Sequence, residues 1–332
     1  MRISARRALM AGVLLVVAST VLRSNTSLEA ASWSATEEVR RTNYTSIHYV
    51  TTDQQNITLP AARSLLHQPS QFGEVDVCRL APNLTTSPNT LVSAYFRVSS
   101  KHGTDQYDVW MKNFLGLQDH MVIFTNEDMF AKVQKFRAHA LERTVIVLMN
   151  VEDLPLATLY PSAFWQDQLD RDYEKAMHKS YKLFWIWLSK SYWVHEAIKH
   201  NFFESDLFMW TDFGSFRGFS QRYWGKELIR HREVVPKDAI MQMAFQTPVP
   251  PAVTLFSDKL KYEKNFYHSG MHSVAYKSVW AQFYPAFLHT IDRFLERGLL
   301  LCDDQVVLQS CCLSYPDLCA YVLSREADDR RF

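Results

Sequence analysis

The chain has 332 residues, with 36 Lys and Arg against 35 Asp and Glu, a formal charge of +1. That balance supplies no basic field for a nucleic-acid backbone, so nucleic acid is not an expected partner. A hydrophobic content of 47% is enough to bury a large core, and no GxGxxG or GxxxxGK[ST] stretch offers a glycine-rich phosphate cradle.

The N-terminus reads MRISARR followed by the uncharged run from Ala8 to Leu22 and then Arg23. A basic flank before an apolar run is a secretory targeting signal. Two readings stay open. Uncleaved, residues 1–7 form a cytosolic tail and 8–23 a transmembrane signal anchor, leaving everything after Arg23 in the lumen. Cleaved, the segment is a signal peptide and the protein is secreted. Residues 24–88 are polar, carry Pro60, Pro69, Pro82 and Pro88, and read as a stem. Sequons at Asn25, Asn43, Asn56 and Asn83 all fall in this region, which supports glycosylation in the lumen. Five cysteines fit an oxidising compartment. Their spacing suits no zinc site, and they read as structural without an assigned pairing.

From residue 89 the pattern changes. TLVSAYFRV (90–98) is a β-rich run, Tyr107–Leu117 has helical spacing, HMVIFT (120–125) is a second strand, Glu127–Leu141 a helix, and TVIVLM (144–149) a third strand. Strand, helix, strand, helix, strand predicts an α/β fold with a mostly parallel sheet flanked by helices. A long helical stretch over Ser162–Lys199 precedes a fourth strand, Leu207–Thr211, that ends at Asp212. Ala239–Phe245 is a further strand candidate, and 246–265 a proline-containing loop. YHSGMHSVA (267–275) reads as a loop around Gly270. Tyr276–Arg297 is helical, with a kink or break expected at Pro285. Asp303–Ser314 and Tyr315–Leu323 read as closing helices, and 328–331 as a solvated tail.

Asp212 poses the chemical question. An ionised carboxylate at the end of an aromatic run is costly unless paired, hydrogen-bonded or metal-bound. It is either a turn cap or part of a site beyond the carboxyl ends of the strands.

Several stretches carry a family likeness. They are TLVSAYFRV, YDVWMKNFL (107–115), HMVIFTNED (120–128), the block from His178 to Arg217 with Lys190, Asn201 and WTDFGSFR, and FLERGLLLCDDQVVLQSCCLSYPDL (294–318). In order, over about residues 90–323, they resemble the HtrL/YibB family, whose members look like glycosyltransferases of the GT-A type. The departure is YHSGMHSVA, with one glycine where the family has a glycine-rich run.

The resemblance implies a Rossmann-like GT-A domain over 89–332 that uses a nucleotide-sugar donor and a glycan or glycoprotein acceptor. Such enzymes hold a divalent cation, Mn²⁺ or Mg²⁺, on an Asp-x-Asp turn. Asp212 fits the first acid, Gly214 replaces the second, and His268 is a third-ligand candidate, the plain alternative being a polar loop histidine. Lys190 and Arg217 are candidate diphosphate partners, against simple surface charge. One of Asp303 and Asp304 is a helix N-cap; Asp304 is favoured as general base, with Gln305 binding sugar. Trp185, Trp187, Trp193 and Trp210 read as core aromatics before sugar platforms. The implied location is the Golgi or endoplasmic-reticulum membrane in type II orientation. The competing reading is a non-catalytic lumenal binder on the same fold.

Overall fold

The computed structural model describes residues 47–50, 56–59, 61–67, 76–100, 102–217, 224–246 and 268–323. The targeting segment, Asn25, Asn43, most of the 246–265 loop and the 328–331 tail lie outside these. Among the described residues no helix is long and apolar enough to cross a membrane.

The central strands are β4 (Asn89–Tyr95), β5 (Met121–Thr125), β6 (Thr144–Leu148) and β7 (Leu207–Thr211). All four run parallel, in the order β6-β5-β4-β7. Their continuous apolar runs follow from burial on both faces. Alternate side chains sort onto the two sides. Val92, Val122, Phe124, Val145 and Trp210 join one hydrophobic cluster, and Leu91, Met121, Ile123, Ile146 and Leu207 the other. Helices α1 (Thr104–Leu115) and α2 (Glu127–Phe136) cover the second face through Met111, Phe114, Met129 and Val133.

The stretch predicted as one helix over 162–199 divides into α4 (Ser162–Arg171), α5 (Lys175–His178), α6 (Lys182–Leu188) and α7 (Lys190–His200), preceded by the short α3 (Pro155–Leu159). The break has local causes. Asp172 is extended, accepts from the Glu174 backbone N–H and pairs with the buried His178; Lys179 is left-handed. Such side-chain bonds offer the backbone an alternative to helix.

The remaining sheet corrects three expectations. The segment read as a loop around Gly270 is β9 (His268–Tyr276), antiparallel to both β7 and β8 (Ile240–Ala244). Residues 315–323 are not a helix: after a short turn, β10 (Cys319–Leu323) pairs parallel with β8. The β-branched and aromatic residues of CAYVL suit a strand. Helix α8 (Lys277–Glu296) runs unbroken through Pro285, and α9 (Asp304–Ser314) follows. A disulfide joins Cys312 on α9 to Cys319 on β10, while Cys78 and Cys311 are free thiols.

The predicted stem is partly folded. β3 (Val77–Arg79) pairs antiparallel with β6 and forms the sheet edge. Upstream, β1 (Ile47–Val50) and β2 (Asn56–Leu59) form a hairpin. Leu59, Ala61 and Ala62 are buried in the main cluster, and the Ala62 backbone N–H donates to the buried Asp292 carboxylate of α8. Asn83 is exposed, as a glycan acceptor requires. Truncation to 88–332 should therefore lose about 3 kcal/mol or more, the scale of one fully buried leucine plus its neighbours. Urea unfolding of 45–332 against 88–332 checks this; equal midpoints would show that residues 45–87 contribute nothing.

Candidate functional site

Helix α7 and strand β7 are consecutive and antiparallel in course. Eleven helical residues rise about 16 Å, and five strand residues about 16 Å. The first residue of the helix thus returns to the level of the last residue of the strand. Asn201 makes the turn: it is left-handed at φ 40°, and its side chain bonds the Ser205 N–H and carbonyl. Trp193 stacks on Trp210 with ring centroids 5.5 Å apart. The result brings Lys190 to Asp212 at the carboxyl edge of the sheet. This edge lies where the chain, having stepped from β4 to β5 to β6, crosses to β7 on the other side of β4, the switch point at which open α/β sheets bind ligands.

Lys190 has three acceptors. Its Nζ donates to Asp212 Oδ2 at 3.0 Å and to the Gly270 carbonyl at 2.9 Å, and forms an ion pair with Asp304 Oδ2 at 2.8 Å. Trp210 Nε1 donates to the other Asp212 oxygen at 2.8 Å. The Asp212 side chain keeps 27% of its accessibility, against 9% for Lys190 and 5% for Asp304. Asp212 is therefore neither a plain cap nor sealed inside.

Gly270 is required by close approach. A Cβ there would lie 2.2 Å from Asp304 Oδ2. The strand backbone can present its carbonyl to Lys190 only because no side chain separates it from α9.

One ammonium faces two carboxylates, so full ionisation leaves a net negative charge in a confined site. Burial pushes the Asp304 carboxyl up to about 7; Lys190 opposes this, and Asp303 and Asp212 add to it. Burial alone would lower the Lys190 pKa, but Asp212 and Asp304 outweigh it and hold it above the usual lysine value. Asp303 is the N-cap of α9, accepting from the Gln305 N–H at 2.9 Å, which leaves Asp304 for Lys190.

The other predicted residues are placed differently. Gln305 spends its side-chain amide on the His268 carbonyl at 3.2 Å, and the Gln309 carbonyl oxygen accepts from the His268 N–H. These bonds anchor the start of β9. His268 is fully buried with neither ring nitrogen hydrogen-bonded. Burial, then Lys190, lowers its pKa to about 3. His272 on the same strand is lowered to about 4 by burial, with Lys190 adding to and Asp212 opposing the shift. The Asp212 N–H bonds the Met271 carbonyl. Towards its first residue β9 shifts register against β8, with Ser273 opposite Gln242 and His268 opposite Ala244.

Arg217 Nε donates to the Gly214 carbonyl at 2.7 Å, and its guanidinium lies 4.6 Å from the Trp110 ring centre. Tyr107 feels both Arg217 and Asp212, although burial dominates and raises its pKa. Tyr107 stands 5.1 Å from Trp110 and 5.6 Å from Tyr95 in ring-centre distance. This aromatic ledge, the Trp210 anchor and the Gly270 carbonyl escape sequence reading. The ledge has a sequence trace only in the i, i+3 spacing of Tyr107 and Trp110. Trp185, Trp193 and Trp210 are buried core residues, as read, and Trp187 packs against the same cluster.

A cavity of about 330 Å³ opens at the same edge. It is lined by residues 96–99 after β4, Asn126 after β5, residues 150–152 after β6, and Ser180 and Lys182. Lys190, Asp212 and Asp304 do not line it. Position at the carboxyl ends of the strands, not cavity size, makes the lysine cluster the candidate site.

The residues present do not fit a divalent-cation site. Lys190 already stands between the two carboxylates, and among the described residues no three His, Cys, Asp or Glu side chains gather as a ligand set.

A family model described as "bacterial protein of unknown function (HtrL_YibB)" matches residues 89–328. The chain belongs to the HtrL/YibB family. No curated protein matches it in sequence. Among solved structures it is similar to mouse xyloside xylosyltransferase 1 in its apo form, at 13% identity, covering 70% of this chain and 85% of that one with a TM-score of 0.40. It is also similar to 4-diphosphocytidyl-2C-methyl-D-erythritol synthase of Anaerococcus prevotii, at 7% identity, covering 72% and 87% with a TM-score of 0.35. The family match includes Lys190, Asp212, Gly270 and Asp304, so the whole cluster lies within it.

Two outcomes follow from this geometry. Gly270→Ala must displace the Asp304 carboxyl and should destabilise the fold by about 1–3 kcal/mol, the usual scale of overpacking; an unchanged urea midpoint would contradict the close approach. Asp304 carries a folded pKa above its unfolded one, so the folded state binds more protons between about pH 4 and 7. Its contribution is fully present below the unfolded pKa and is lost as pH rises through about 7. Asp119, raised to about 6 by burial against the Leu228 and Ile229 N–H groups that lower it, has the same sign. The buried His268 and His272, with lowered pKa values, act with the opposite sign below the ordinary histidine pKa, so the readout is the difference between proteins: wild type should lose unfolding free energy relative to Asp304→Asn as pH rises from about 4 to 7.

Proposed function

We propose that the chain is a nucleotide-sugar-dependent glycosyltransferase of the secretory pathway, transferring a sugar to a glycan or glycoprotein acceptor. The observation that carries this reading is the Lys190 ammonium held at the sheet's switch point between a partly open carboxylate, Asp212, and a buried one, Asp304. Transfer from a nucleoside diphosphate builds charge on the leaving diphosphate, and fixed positive groups at that point lower the barrier. Lys190 and Arg217 supply them. A carboxyl poised near pH 7, as Asp304 is, suits removal of the proton from an acceptor hydroxyl. The cavity beyond β4, β5 and β6 is of a size and position to take the donor nucleoside. The targeting segment, the sequons and the Cys312–Cys319 disulfide support a lumenal domain on a type II Golgi or endoplasmic-reticulum anchor, with secretion as the alternative.

One observation favours the non-catalytic reading. The Lys190 ammonium is already surrounded by protein oxygens, two hydrogen-bonded and one ion-paired, so the cluster is stable without a ligand. Turnover separates the two. The purified chain is offered a panel of UDP- and GDP-sugars, and release of nucleoside diphosphate is measured. The enzyme reading expects release with at least one donor, reduced by about 10²–10⁴ in Asp304→Asn. Binding of donors without release by wild type would support the binder. Carbonate extraction of expressing cells decides the anchor: the chain should stay in the membrane pellet.

A further inference from the structure

Lys190 stands where a shared cation would stand. Asp212 comes from the end of β7 and Asp304 from the start of α9, elements brought together from opposite ends of the domain. Both carboxylates turn an oxygen to the same ammonium, at 3.0 and 2.8 Å. The ammonium also donates to Gly270 O at 2.9 Å, and Trp210 holds the remaining Asp212 oxygen. An ammonium has three donors, and three oxygens stand within 3.0 Å of this one. A hard divalent ion would need these oxygens at roughly 2.0–2.2 Å from one centre, with the ammonium expelled. The expelled lysine would have to leave a nearly closed site, because its side chain is only 9% accessible.

We propose that Lys190 is a built-in cation that occupies the divalent-metal position, so that the site binds nucleoside diphosphate without Mn²⁺ or Mg²⁺. The diphosphate half of this statement rests on the proposed transferase reading; the exclusion of metal by Lys190 does not. Gly214 agrees with it: the residue two after Asp212 offers no second carboxylate, although a Cβ there would make only ordinary contacts, the nearest at 3.6 Å. A side chain could begin there without a clash, and none does.

The test uses the full chain in detergent and Mn²⁺ alone, followed by paramagnetic resonance. Wild type should show no stoichiometric site. Lys190→Met, which keeps length and removes charge, should gain one Mn²⁺ per chain, bound at least roughly tenfold tighter than by wild type. The double variant Lys190→Met, Asp212→Asn should lose it. One Mn²⁺ per wild-type chain, abolished by Asp212→Asn, would overturn the proposal, as would a folded Lys190→Met that gains no site. Should Lys190→Met fail to fold, calorimetry of UDP binding to wild type carries the test. Equal affinity with and without EDTA supports the built-in cation, and a tenfold or larger loss with EDTA overturns it. A wild type that binds neither Mn²⁺ nor UDP upholds the exclusion of metal and removes the nucleotide-sugar reading, so the two failures are distinguishable.

Discussion

One ammonium holds four parts of this domain in register. Lys190 begins α7, Asp212 ends β7, Gly270 lies in β9 and Asp304 begins α9. Pairs of these segments also pack elsewhere, β7 along β9 and Trp193 of α7 on Trp210 of β7, but Lys190 touches the other three at once. The attraction does not come free of opposition: two carboxylates share one positive charge, and the more buried of them responds by holding a proton to near neutrality. Burying the charges costs several kcal/mol each by general estimate, so such a cluster adds less to stability than it does to geometry. It fixes where the acids sit.

The same constraint explains why β9 is a strand. Its sequence has a glycine and two histidines where a buried strand would have branched apolar residues, and by pattern alone it reads as a loop. Three-dimensional pairing overrides that pattern. β7 and β8 flank it on both sides, and two glutamines of α9 hold its first residue. The glycine, read as a flexible point, is there because Asp304 leaves no space for a Cβ. This is the kind of information a sequence lacks, since residue 304 does not announce which strand it will touch.

Other parts were legible for equally specific reasons. β4 to β7 were readable because each is buried on both faces and so is apolar throughout. Lys190 and Asp212 were recognisable as candidates through the family likeness, and their meeting follows from equal lengths of helix and strand. Arg217 was legible as a cation near the turn, but its direction was not, because it depends on Trp110 from a helix more than 100 positions earlier in the chain. The stem was misread in part. Polar residues and prolines concealed β3, which adds the sheet's edge, and a short apolar stretch at 59–62 whose burial becomes visible only against α8. Composition describes an average, whereas three or four buried residues are enough to dock a segment.

A fixed ammonium would also shape what the site accepts. A metal ion takes new oxygen ligands by shedding water and imposes little on the direction of approach. Three oxygens already crowd Lys190 within 3.0 Å, so a diphosphate oxygen must exchange with one of them. Two of these are carboxylates, whose removal from a cation inside a low-dielectric site is expensive. The third is the neutral carbonyl of Gly270, which loses only an ordinary hydrogen bond of about 1 kcal/mol net. On this account the ligand enters along β9, beside the more accessible Asp212, while Asp304 stays paired with the lysine. The strand that looked least like a structural element in the sequence then becomes the part of the site that yields.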